Sequence, residues 1–311
     1  MTIHLKTAWR NILYSRRQTI AVSLLALFAM ALMSIASFLG RNLREGLTAA
    51  VEPFDMLVGR GGSYQMVLNT VFLQDYPAGN IPYRLVGELN GDPRIRRAIP
   101  LAFGDNHRGY RIVGTDVSIF SHFAANADRG PWLRFVRGAP FSPGSREAVV
   151  GSGTAADLGL KIGDSLVSSH GFVPGGEEHE QTPYVVSGIL ASCRGPYDRA
   201  IFVDIRSIWE AHGLHGDHDG ETEKISGRDD GDGHPEENEA APNDEGGREV
   251  TAIMVKPAGF AGAYQLYAEF NSRRDADLVF PAQVVVRLLS ILGQADWLLQ
   301  AIGYAAGAIA A

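Results

Sequence analysis

Residues 20–39, IAVSLLALFAMALMSIASFL, contain no charge, no proline and no glycine. At a rise of about 1.5 Å per residue, a helix of about 20 such residues crosses a hydrocarbon core of about 30 Å. It also satisfies its own backbone hydrogen bonds in lipid. The lead before it, HLKTAWRNILYSRRQ, sets Leu5, Ala8, Trp9, Ile12 and Leu13 at helical spacing, with Lys6, Arg10, Arg16 and Arg17 largely elsewhere. That pattern suits either a helix lying in the membrane interface, with Trp9 at headgroup level, or an extension of the spanning helix. Lys6, Arg10, Arg16 and Arg17 stand before the span and Arg41 and Arg44 after it. The positive-inside rule places the N-terminus in the cytoplasm and everything beyond Arg41 on the far side. A cleaved signal peptide has an apolar core of about 7–15 residues, so the length favours a retained anchor. Residues 288–311 are apolar again, interrupted by Gln294, Asp296 and Gln300. They read as the start of a second span, and the chain as the N-terminal portion of a longer polypeptide.

Between these ends the pattern changes to short apolar runs broken by glycine and proline turns. Residues 41–51 extend the first helix outward, ending at Pro53, and 55–59 form a short strand leading into the turn Arg60-Gly-Gly-Ser63. Residues 83–89 read as a helix closed by Asn90-Gly-Asp-Pro93. Strands are predicted at 98–103, 110–113, 147–150, 165–168, 184–190, 200–203 and 249–256. Brief helices follow at 154–158 and 205–212, and an alanine- and tyrosine-rich helix runs to Asn271. Short strands with isolated helices define an α+β class. The resulting partition is a cytoplasmic amphipathic lead (1–19), a transmembrane helix (20–40), a large extracytoplasmic mixed α+β domain (41–285) and the truncated start of a second transmembrane helix (286–311).

Composition alters this picture in one place. Residues 212–248 are rich in Asp, Glu, Gly and His and nearly empty of large apolar side chains, the signature of a disordered insert. Within it stand His212, His215, His218 and His234 among many carboxylates. Neutral imidazole is a good zinc ligand, and the acidic surroundings concentrate cations. The run reads either as a zinc-capture loop using these four histidines or as a polar linker in which histidine is incidental. His170 and His179 are weaker candidates for the same site, whereas His4, His107 and His122 are isolated.

Elsewhere the 45% hydrophobic and 20% charged composition is that of ordinary globular structure, and a net charge of −7 offers no footprint for nucleic acid. A single cysteine, Cys193, excludes an internal disulfide; no neighbouring His or Lys marks it as a nucleophile. No nucleophile elbow, phosphate loop or zinc-protease motif is present, so the chain is expected to have no catalytic residues and to bind no cofactor of its own. Asp55, Arg111, Asp164 and Asp198 read as turn or ion-pair residues.

The landmarks resemble the permease subunits of ABC transporters of the MacB, FtsX and LolC/LolE type. The resemblance is carried by Trp9-Arg-Asn-Ile-Leu-Tyr-Ser-Arg-Arg17 before the span and Asp55-Met-Leu-Val-Gly59 after it. Gly109-Tyr-Arg-Ile-Val-Gly-Thr-Asp116, Arg137-Gly138, Glu147-Ala-Val-Val-Gly151, Leu158-Gly-Leu-Lys-Ile-Gly-Asp164, Tyr184-Val-Val-Ser-Gly188 and Asp198-Arg-Ala-Ile-Phe-Val203 then follow in the family's order. The resemblance implies a MacB-like periplasmic domain between the first and second of four spans in the bacterial inner membrane. It implies a second permease copy or paralogue, a cytoplasmic ABC ATPase subunit that binds ATP, membrane lipid around the spans and a protein partner outside the membrane. ATP hydrolysis at the partner would move the outer domain, a process called mechanotransmission. The third and fourth spans, and the cytoplasmic coupling element before them, are not in this sequence. A bitopic adaptor or sensor, binding a ligand or protein outside the membrane without transport, is the alternative reading.

Overall fold

The computed structural model describes residues 14–74, 76–122, 130–171, 183–211 and 247–291. The chain divides into two compact units, residues 1–49 with 283–311, and residues 50–282. In the first unit, helix α1 (Arg16–Val51, its last two residues falling in the second unit) is 36 residues long, about 54 Å at the usual helical rise. Among the described residues it is the one helix long and apolar enough to cross a membrane. Leu24, Leu25, Phe28, Ile35 and Leu39 stand exposed along it. A shorter apolar helix runs over Pro281–Ile291; it starts ahead of residue 286, because proline is well tolerated in the first turn of a helix. Residues 292–311 lie outside the described residues.

The second unit is built on a sheet. Its elements are β1 (Met56–Gly59), α2 (Gly62–Thr70), β2 (Ile81–Pro82), α3 (Arg84–Gly91), β3 (Ile95–His107), β4 (Tyr110–Thr115), a 3-10 turn (Val117–Ser121), β5 (Phe135–Gly138), β6 (Glu147–Val150) and α4 (Ser152–Leu158). Then come β7 (Ser165–Leu166), β8 (Ser169–His170), β9 (Tyr184–Leu190), a second 3-10 turn (Pro196–Arg199), β10 (Ala200–Asp204), α5 (Ile205–Ala211), β11 (Glu249–Val250), β12 (Ala252–Pro257), α6 (Phe260–Phe270) and β13 (Asp277–Val279). Strand order is β13-β1-β12-β3-β4-β10-β6-β9-β5, with β7 added to β9 and β8 to β3, while β11 pairs separately with β2. The α+β class expected from the sequence holds.

β3 splices this sheet together. Its first half pairs with β12, from Ile95↔Pro257 to Leu101↔Ala252, and its second half with β4, from Ala102↔Gly114 to His107↔Tyr110. In the pairing with β4 the register shifts between Phe103 and Asn106, a bulge that falls after the pairing with β12 has ended at Leu101. The Arg108-Gly109 link to β4 has positive φ at both residues (51° and 85°), as a tight hairpin turn demands. β4 and β10 run parallel, as do β6 and β9; the remaining pairs are antiparallel.

Both faces of the central strands are covered, so they read as continuous apolar runs rather than as alternation. In β10, Ile201 and Val203 join a core with Leu85 and Leu89 of α3, Ile208 and Trp209 of α5, and Leu266 and Phe270 of α6. Phe202 instead meets an aromatic cluster: its ring centroid lies 5.9 Å from both Phe120 and Tyr197. Tyr197 also packs against Trp132 and Phe54, and its hydroxyl donates to the Thr70 carbonyl at 2.7 Å. Gly114 on β4 lets α5 approach, because a Cβ there would sit 2.4 Å from Ile208 Cδ1. Two expectations are refined. The run 249–256 is two strands, the chain changing partner at Thr251, and a helix not foreseen at 62–70 grows out of the turn at 60–63, where Gly61 and Gly62 have positive φ.

Candidate functional site: a polar cleft at the ends of β4 and β10

Because β4 and β10 are parallel and in register, with Asp204 opposite Thr115, their carboxyl ends lie side by side. Each end supplies an aspartate that turns the chain into the next helical segment. Asp116 accepts the Ser118 backbone N–H at 2.8 Å, and Asp204 accepts that of Arg206 at 2.9 Å. Between these ends opens a cleft of about 430 Å³. Asp204 is buried at its floor and Asp116 half-buried, whereas Arg96 and Arg206 are exposed at the rim.

Tyr83 and Arg97 also line it, as do Asn90, Ser118 and Pro143. Tyr83 packs edge-on against Trp209 with centroids 4.8 Å apart. Burial raises its hydroxyl pKa, and the charge of Asp116 adds to this while Arg206 opposes it. Arg97 donates from Nη1 to the Ser118 carbonyl at 3.1 Å and to Ser121 Oγ, tying the 3-10 turn to β3. The described lining holds no histidine, cysteine or lysine. Its carboxylates, guanidiniums and tyrosine hydroxyl equip it to recognise a polar ligand by charge and hydrogen bonding.

His212, His215, His218 and His234 lie outside the described residues, as does His179. Among the described residues no group of three or more His, Cys, Asp or Glu is placed to hold a metal ion. His170 lies on β8, with Nδ1 3.5 Å from the buried Asp105 carboxylate. His107 binds the Val167 carbonyl through Nδ1 and His122 that of Pro53 through Nε2, each at 2.7 Å. Burial lowers the pKa of His122.

The four residues read as turn or ion-pair groups separate by role. Asp55 pairs with Lys256 at 2.7 Å. Asp164 accepts the Lys161 N–H, closing its turn. Asp198 gathers Ser192 Oγ and the backbone N–H groups of Cys193 and Arg194, so it organises a loop. Arg111 is buried and donates to Asn69 Oδ1 at 3.3 Å. Burial, followed by the charge of Asp198, pushes the Cys193 thiol up to about 12. The cleft residues carried no sequence signal beyond an aspartate at the end of each strand, a capping pattern that proteins use everywhere.

The apolar helix, taken with the family match over residues 19–258, marks a membrane-anchored protein with an extracytoplasmic domain. The chain belongs to the MacB-like periplasmic core domain family, whose profile matches residues 19–258, and is a component of the MacB/FtsX type of ABC transporter permease. Among solved structures it is similar to the periplasmic region of MacB from Actinobacillus actinomycetemcomitans, at 9% identity and a TM-score of 0.42, over 76% of this chain and 95% of that one. It is also similar to the extracellular domain of the noncanonic ABC-type transporter YknZ from Gram-positive bacteria, at 10% identity and a TM-score of 0.37, over 72% of this chain and 98% of that one. No curated protein matches the sequence.

Proposed function

We propose that the chain is a permease subunit that couples ATP hydrolysis by a separate cytoplasmic ATPase to motion of its extracytoplasmic domain, and through it to transport or release of a substrate. The observation that carries this reading is the match to the periplasmic core domain family over residues 19–258 behind one apolar helix. The basic residues before residue 20 support a cytoplasmic N-terminus in the bacterial inner membrane. The subunit works as a dimer with a second copy or a paralogue, and its outer domain engages a protein partner. The sheet supports a mechanical role, since one continuous strand, β3, links its two halves.

The test is co-purification of the gene product from membranes with a co-expressed cytoplasmic ABC ATPase, sought first among the neighbouring genes, followed by ATPase assays. A stable complex with permease-dependent ATP hydrolysis is expected. A chain that stays intact and membrane-bound with no ATPase would replace the transporter with an adaptor or sensor. Zinc capture by His212, His215, His218 and His234 is an additional proposal, supported by their spacing in an acidic segment. Isothermal titration with zinc should show heats that vanish on deletion of 212–234, and equal heats with and without the segment would sink it.

A further inference from the structure

We infer that the cleft at the ends of β4 and β10 is a binding site for a small zwitterion bearing an ammonium and a carboxylate, such as a free amino acid or a short peptide. Charge of both signs lines this cleft. Asp204, 4% exposed, and the half-buried Asp116 lie deepest with Arg97, which is committed to the Ser118 carbonyl and Ser121 Oγ, and Arg96 and Arg206 are exposed. Each aspartate commits one oxygen to a backbone N–H, which fixes its orientation. Among the described residues, the second oxygen of each has no hydrogen-bond donor. Opposite charges therefore line one cavity, yet no ion pair joins these aspartates to the arginines.

The remaining oxygen of each aspartate is not sealed in the core, and an ammonium that reached it would gain a charge-assisted hydrogen bond. The rim guanidiniums offer a planar fork suited to a carboxylate. The Tyr83 ring, backed by Trp209, gives the ammonium a second attractive surface. A cavity of about 430 Å³ holds a ligand of this size. A purely anionic ligand would meet Asp116 and Asp204, and a purely cationic one would meet the arginines. A ligand carrying both charges matches the whole lining.

The experiment is isothermal titration of the full chain in detergent with L-alanyl-L-alanine, its N-acetyl form, its C-terminal amide and L-alanine. Saturable binding of the free dipeptide is expected, weakened about tenfold by blocking either end. Arg206→Gln should cost a similar factor; the Arg206 side chain is exposed and caps nothing, so folding is preserved. Asp116→Asn should selectively weaken the forms that keep a free amine. L-alanine bound as well as the dipeptide assigns the site to amino acids, and weaker L-alanine assigns it to peptides. The inference is overturned if the blocked forms bind as well as the free dipeptide, if Arg206→Gln changes nothing, or if no saturable heat develops by about 10 mM. The binding is read without the ATPase, so a negative result leaves the coupling proposal standing.

Discussion

The Phe103 backbone N–H donates to Thr251 Oγ1 at 3.0 Å, and the Thr251 N–H donates to the Leu101 carbonyl at 3.0 Å. These two bonds clamp β3 at the point where it leaves β12 for β4. Thr251→Val keeps the shape and strands a buried N–H, which costs about 1–3 kcal/mol. Chemical denaturation should show that loss, with Thr251→Ser recovering most of it. A valine variant as stable as the parent would mean that water satisfies Phe103.

Gly114→Ala places a methyl against Ile208 Cδ1 and is expected to destabilise by about 1–3 kcal/mol through overpacking. Trimming the opposing side chain should relieve part of the clash. The double variant Gly114→Ala/Ile208→Val should therefore be more stable than the sum of its single changes. Additive losses would show that α5 does not rest on β4 at this point.

Cys193, the one cysteine of the chain, should react slowly. A thiol pushed up to about 12 is almost wholly protonated at pH 8, and the thiolate is the nucleophile. Labelling by a disulfide reagent at pH 8 should run at least about a hundredfold slower than in the unfolded chain. Asp198→Asn removes one contributor to the shift and should accelerate it.

Acid should destabilise the extracytoplasmic domain in two stages. His122 has a folded-state pKa lowered by burial, so the unfolded chain binds its proton first as pH falls through 6.5, and stability is lost from there downward. A second stage begins below about pH 4. There the depressed carboxyls are protonated: Asp275 at about 2, held down by its hydrogen bonds from Arg273, and Glu147, held down by the Ser142 N–H. Stability measured against pH should flatten between about pH 6.5 and 5 in His122→Asn and keep its second stage.

Strands 147–150 and 184–190 were readable to the residue, because each is an apolar run closed by turn residues at both ends. The helix Gly62–Thr70 was not, since it opens on glycine and its apolar stretch is too short to separate helix from strand. The change of partner at Thr251 was equally hidden: the alternation of 249–256 continues through it, and only the pairing differs. The cleft has the same origin. Tyr83, Arg97, Asp116 and the pair Asp204 and Arg206 come from four separate stretches, and the parallel pairing of β4 with β10 sets Asp116 beside Asp204. Register across a sheet is a property of the whole fold, and no local window contains it.

Trp209 on α5 donates its indole N–H to the Glu249 carbonyl at 2.9 Å, and Arg248 lies over its ring with the guanidinium carbon 5.5 Å from the centroid. Val250, next in line, is buried and pairs with Ile81. These contacts solder together the two stems on either side of residues 212–246. Joining the stems by a flexible linker of another length is expected to change stability by only about 0.6 kcal/mol per doubling of that length, because the contacts that hold the stems are their own. The soldered stems make a socket: a segment of another length or chemistry can be plugged in there while the sheet, the clamp at Thr251 and the cleft stay as they are.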